Sequence, residues 1–218
     1  MGLDSEGTMS ELRSSFLRVE NEQGKSYGGN QKWFPYGFLK KSGCGVIGAA
    51  NVLLHLKGKK EISQSEYMDF AKELWKYYFP VIPGIGMNGI TLMVGLNRYF
   101  RKQELPYRAC YQISGKKMLH RMDEMLSANV PVILSVGPNF PKLTGKKTVT
   151  LYTKERNGQY LAKTGTKAHY VTVTGRIGTW LRISSWGKEY YIDLNEWKTY
   201  IKEYSSSLVS NIIYISER

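Results

Sequence analysis

The pattern of apolar residues changes after Asn129, and that change constrains the fold more than any single motif. Before it, apolar residues recur at helical spacing. Helices are predicted from Cys44 to about Leu56, over 63–79, over 87–103 and over KKMLHRMDEMLSAN (116–129). Ser63 with Glu66 three positions on makes a capping box for the second helix, and Gly95 weakens the third. After Asn129, the runs VPVILSVG, KTVTLYTK, AHYVTVTGRI, TWLRISSWG, KEYYIDL and NIIYISE are rich in Val, Ile, Tyr and Thr, the composition of strands. One strand, YRACYQIS, falls in the first half, and one helix, NEWKTYIKEY, in the second. Helices first and antiparallel strands later is an α+β layout. It predicts a single domain over 30–218, with a helical lobe at about 30–128 and a β lobe at about 129–218 meeting at a cleft. Residues 1–29, ending in the polar NEQGKSYGGN, read as an arm or loop. Met9 is an alternative start, which would make the first eight residues an expression remnant.

A chain of 218 residues, 42% of them apolar, can bury a real core. No uninterrupted apolar stretch reaches membrane-spanning length. The first residues lack the basic start and apolar middle of a signal peptide, so the chain as given reads as cytoplasmic. Cys44 and Cys110 are too few for a disulfide scaffold and match no zinc pattern. No metal and no cofactor is expected. The net charge is +13, and nine basic residues against one acid lie between Phe140 and Arg182. Such a field favours anionic partners: acidic peptides, cell-wall polymers or nucleic acid. The plainer reading, a solvated face that keeps the protein soluble, is preferred. No nucleic-acid motif accompanies the charge, and none is expected to bind.

The stretch KSGCGVIGAANVLLHL places Cys44 between two glycines at a predicted helix start. Unpaired N–H groups and the helix dipole favour a thiolate there. Gly43 and Gly45 allow a tight entry turn and the close approach of a substrate backbone. A small buried residue at a helix start explains the cysteine equally well. A nucleophilic Cys needs a base, usually His, and the chain has three histidines. His55 is eleven residues along the same helix, roughly 16 Å away and out of reach. His120 points away from the apolar stripe of its helix and reads as a surface residue. His169 opens a strand on the apolar face shared with Val171 and Val173. It is a satisfied core histidine or a base facing a cleft, and by elimination the remaining partner for Cys44.

The segments SGCGVIGAANVLL, AHYVTVTGRI and WLRISSWGKEYYI, in that order, resemble the papain-like cysteine peptidases. The resemblance is greater to their bacterial branch related to the bacteriocin-processing C39-type peptidases, and it covers about residues 30–200. It implies Cys44 as nucleophile and His169 as base. Aligning Trp186-Gly187 puts Ser184 at the orienting position, where the family carries Asn or Asp; Ser offers no charge and a shorter reach. Asp193 and Asn195 are backup orienters. The family's oxyanion glutamine lies close before the Cys, where this chain has Phe38. Gln31, thirteen residues back, takes that role if WFPYGFLKK loops out, with the Cys44 backbone N–H as the other donor. Trp186 is expected to pack near the His169 ring, shielding the Ser184–His169 contact from water, and Cys110 is expected to be structural. The implied activity is a cysteine peptidase acting on a peptide or protein through an acyl-enzyme. The alternatives are an acyltransferase on the same fold and a catalytically inactive peptide-binding module.

Overall fold

The computed structural model of the chain describes residues 9–139 and 147–218; the first eight residues, and Lys142 and Lys146 of the basic stretch, lie outside them. Among the described residues the strands are β1 (Met9–Glu11), β2 (Arg18–Asn21), β3 (Gly24–Tyr27), β4 (Glu61–Ser63), β5 (Tyr107–Ile113), β6 (Val132–Ser135), β7 (Val149–Lys154), β8 (Tyr160–Thr166), β9 (Tyr170–Ile177), β10 (Trp180–Ser185), β11 (Lys188–Asp193) and β12 (Asn211–Glu217). The helices are α1 (Gly37–Ser42), α2 (Cys44–Leu56), α3 (Gln64–Tyr77), α4 (Gly89–Lys102), α5 (Lys116–Ser127) and α6 (Leu194–Tyr204). No helix among these residues is long and apolar enough to cross a membrane.

The architecture is mixed α+β around one large antiparallel sheet, with strand order β5-β12-β6-β9-β10-β11-β7-β8. Strand β6 pairs with Tyr170–Val173 of β9, and β1 takes up the same edge farther on, at Gly175–Ile177. A second sheet, β3-β2-β4, is three-stranded. Residues 9–29, expected to form an arm, therefore carry three strands. Strand β5, from the helical half of the sequence, joins the large sheet beside β12.

Local chemistry fixes the helix ends. Ser63 accepts from the Glu66 N–H and the Glu66 carboxylate accepts from the Ser63 N–H, the reciprocal capping box expected at α3. Asn88 caps α4 by accepting from the Thr91 N–H at 2.8 Å. Asp193 accepts from the Asn195 N–H at 2.8 Å and caps α6, which takes both proposed backup orienters out of the site. Gly95 sits inside α4 because the chain after α3 runs against it. A Cβ there would lie 2.5 Å from the Phe79 ring and 2.6 Å from the Tyr78 carbonyl oxygen. Helix α2 is buried all round from Gly45 to His55, as a helix apolar on every face must be. It packs against β9 and β6 on one side and α3 and α4 on the other. That central position carries its first residue, Cys44, to the start of β9.

Candidate active site

The N-terminus of α2 carries Cys44. Gly43 is its N-cap, and no side chain caps the free N–H groups there. Cys44 is half-buried at the surface, with its thiol tucked among the backbone N–H groups of Tyr170, Gly45 and Cys44 itself. Burial pushes its pKa up, and those N–H groups pull the other way without cancelling the effect. The glycines act differently from the expectation. Gly43 has an ordinary φ of −84°. A Cβ there would lie 2.6 Å from the Leu39 carbonyl oxygen, so Gly43 serves close packing. Over Gly45, the space expected for a substrate backbone is filled by Met87 Cε, 2.8 Å from where a Cβ would sit, and by the Tyr170 ring at 3.4 Å.

His169 immediately precedes β9. The Val136 N–H donates to its carbonyl at 2.9 Å, and the Ala168 N–H donates to Gly137 at 2.7 Å, so the end of β6 fixes its backbone. The side chain is buried, and burial alone lowers its pKa to about 4. Its Nε2 lies 2.9 Å from Ser185 Oγ. The expectation placed Ser184 there, and the structure corrects it by one residue. Ser184 Oγ donates instead to the Tyr27 carbonyl at 2.7 Å. The cause is the hairpin turn. Only Trp186 and Gly187 link β10 to β11, with φ of 50° and 74°. Left-handed values at both central positions define a two-residue primed turn. It folds Trp186 back so that its ring stacks on His169, centroids 4.7 Å apart at 22°. The residue directly before the turn, Ser185, therefore meets the imidazole, and neighbouring strand side chains face opposite ways.

A left-handed tryptophan is strained by roughly 1–2 kcal/mol, and such strain persists only where other contacts hold it. Trp186→Gly is expected to relieve the strain and uncover the His169 ring. The His169 pKa should then rise from about 4 towards the ordinary 6.5, as read by NMR titration of the imidazole. An unchanged titration would show that Trp186 does not control the ring's surroundings.

Gln31 reaches the site from a single 3-10 turn, Gln31–Trp33, and is buried. Its amide nitrogen donates to the carbonyls of Lys40 at 2.9 Å and Lys41 at 3.1 Å. Both N–H groups are thus taken by α1, and the oxyanion role expected of Gln31 has no free donor in this arrangement. The other histidines are held elsewhere. His55 Nε2 lies 3.1 Å from the Asn129 carbonyl. His120 is exposed and pairs with Glu124 at 3.1 Å. Cys110 lies on β5 with its sulfur 3.7 Å from Ser216 Oγ.

Cys44, His169, Gln31, Ser185, Trp186 and Asn51 line one narrow crevice of about 10 Å³, room for about one water. Among the described residues no hydrogen bond joins the thiol to the imidazole; the thiol lies beside the backbone of Tyr170, one residue along from His169. No group of three His, Cys, Asp or Glu that could hold a metal occurs among these residues.

Among solved structures, the chain matches the crystal structure of a "putative C39-like peptidase" from Bacillus anthracis. The TM-score is 0.52 at 15% identity, over 87% of this chain and 94% of that one. The likeness is one of fold. No family model and no curated protein matches the sequence.

On this C39-like fold, two residues that the sequence reading passed over stand at the crevice. Ser185 was hidden by the one-residue register of the turn. Asn51 had a readable signal: a carboxamide inside the apolar run GVIGAANVLLHL, seven residues or two helical turns after Cys44 and so on the same face. It is 1% exposed.

Proposed function

We propose that the chain is a cysteine hydrolase of the papain-like, C39-like type, working through Cys44, His169 and an acyl-enzyme. The observation that carries this reading is the convergence on one crevice of an α2 N-terminal thiol and a buried imidazole with Ser185 behind it and Trp186 over it. Ser185 accepts from Nε2–H, which leaves Nδ1 as the nitrogen that takes the thiol proton. The resting pair is neutral, because burial raises the thiol and lowers the imidazole. Proton transfer therefore accompanies attack: Sγ bonds to the substrate carbonyl carbon as its proton passes to Nδ1. The oxyanion meets the N–H groups of Cys44 and Gly45 at the uncapped start of α2. The leaving amine takes the proton from His169, and water then releases the acid and regenerates the thiol. With a net charge of +13, the substrate is expected to be an acidic peptide or protein. If an amine replaces water in the second step, the same site is an acyltransferase.

The narrow crevice and the missing thiol–imidazole hydrogen bond favour a second reading, an inactive peptide-binding module. A mixture of unstructured acidic peptides separates these outcomes. Cleavage by the wild type and none by Cys44→Ala is expected of the hydrolase. Peptide–amine conjugates formed in added glycinamide would identify the transferase. Binding without any product would leave the inactive module.

A further inference from the structure

We propose that Asn51 is a positioning residue that sets Cys44 against His169 by fixing α2 on β9; the inference rests on the acyl-enzyme reading above. Asn51 Nδ2 donates to Thr172 Oγ1 of β9 at 3.1 Å. Its Oδ1 accepts from the Gly29 N–H at 3.0 Å and from the Tyr67 hydroxyl of α3 at 2.8 Å. Burying an amide among apolar residues is unfavourable unless it is hydrogen-bonded, and here donor and acceptor are both used. A leucine would serve packing alone at lower desolvation cost, so the amide is there for direction.

The geometry gives that direction a purpose. Helix α2 packs along β9. At its start a Cβ on Gly45 would lie 3.4 Å from the Tyr170 ring, and further along Asn51 meets Thr172. Six helical residues span roughly 9 Å. Two contacts that far apart fix both the separation and the angle of helix and strand, whereas the Tyr170 contact alone leaves the helix free to pivot. Gly48, midway between them, lets α2 close on β6: a Cβ there would lie 3.3 Å from Ile133 Cγ2. Cys44 and His169 sit at the same end of this braced pair, so the brace decides whether Nδ1 is in reach of the sulfur. Tyr67 and Gly29 hold the other side of the amide and orient it, without touching β9.

The test reads how strongly acylation of Cys44 depends on His169. The probe is 4-nitrophenyl acetate, with acetyl transfer to Cys44 followed by intact mass and peptide mapping. His169→Gln is expected to slow acetylation by about a hundredfold or more in the wild type. In the Thr172→Val background the same substitution is expected to change the rate hardly at all, because the base is already out of reach. Thr172→Ser keeps the hydroxyl and should restore the dependence. Tyr67→Phe should retain it while lowering the melting temperature. If valine is not accommodated, Thr172→Ala reads the same loss. A Thr172→Val protein that keeps the full His169 dependence overturns the inference, as does a Tyr67→Phe protein that loses it equally, since the network would then be structural only. A wild type that shows no His169 dependence overturns the acyl-enzyme reading itself, and this inference with it.

Discussion

His169→Gln is expected to lower hydrolysis by about 10²–10⁴-fold and to flatten the acid side of the stability profile. The first effect is the loss of a positioned general base. The second follows from burial. In the unfolded chain His169 titrates near 6.5, and in the fold at about 4. Between these values the unfolded state binds a proton that the native state does not, so stability falls as pH drops from about 6.5 and the loss is complete below about 4. The full difference is about 3 kcal/mol. His55, also lowered by burial, contributes in the same direction and stays in the variant. Urea unfolding at pH 7 and pH 4 reads the effect: the wild type should lose more stability between the two than His169→Gln does. Equal losses would mean that His169 is solvated and that the crevice is not closed over it.

Gly29→Ala is expected to give the largest loss of stability of any small substitution near the site. A Cβ at Gly29 would lie 2.2 Å from the Tyr67 ring carbon Cζ and its hydroxyl oxygen. Tyr67 is fully buried and cannot swing out, because its ring packs in the α2–α3 core and its hydroxyl is bonded to Asn51. Relief must come from shifting the Gly28–Gly29 segment or breaking the Tyr67–Asn51 bond. Overpacking costs roughly 1–3 kcal/mol, and a buried amide left partly unpaired costs about as much again. A combined loss of about 3 kcal/mol would lower the melting temperature by roughly 6–12 °C in a chain of this size. Gly37→Ala, where a Cβ meets nothing within 4 Å, is the control and should hardly move it. A Gly29→Ala protein that melts with the wild type would show that the segment has slack, and the brace on α2 would be softer than drawn here.

These expectations depend on how much of the molecule its sequence made legible. The α+β layout, the start of α2 at Cys44 and the α3 capping box were readable because each rests on local chemistry: apolar period, glycine punctuation and a Ser–Glu pair three apart. Strand β8 was not readable. It is an exposed edge strand, YLAKTGT, with no inward face to impose alternation. Strand β1 is three residues long and is defined by a distant partner, β9, which no local window contains, while β2 and β3 form a short hairpin of four residues a side that is too polar and exposed to show a strand pattern. Helix α1 is a six-residue helix that follows a proline and buries only Leu39 fully, with Phe38 packed at its side. At the site, residue types were easier than registers. Cys44 could be singled out by its place at a helix start and His169 by elimination, but Ser184 and Ser185 differ only by where a two-residue turn begins. Gln31 lines the crevice, yet nothing in the sequence reveals that α1 ends in carbonyls that occupy its amide. Asn51 broke an apolar helix and deserved suspicion on that ground alone.

The most direct test of the Cys44–His169 pairing is to trap the acyl-enzyme. Wild type, Cys44→Ala and His169→Gln are mixed briefly with 4-nitrophenyl acetate, quenched in acid and weighed intact. The account predicts one acetyl group on the wild type, mapped to Cys44, which decays on further incubation; none at that position in Cys44→Ala; and a much slower gain in His169→Gln. Acetyl on Cys110 at the same rate as Cys44, or equal acylation of Cys44 with and without His169, would contradict it.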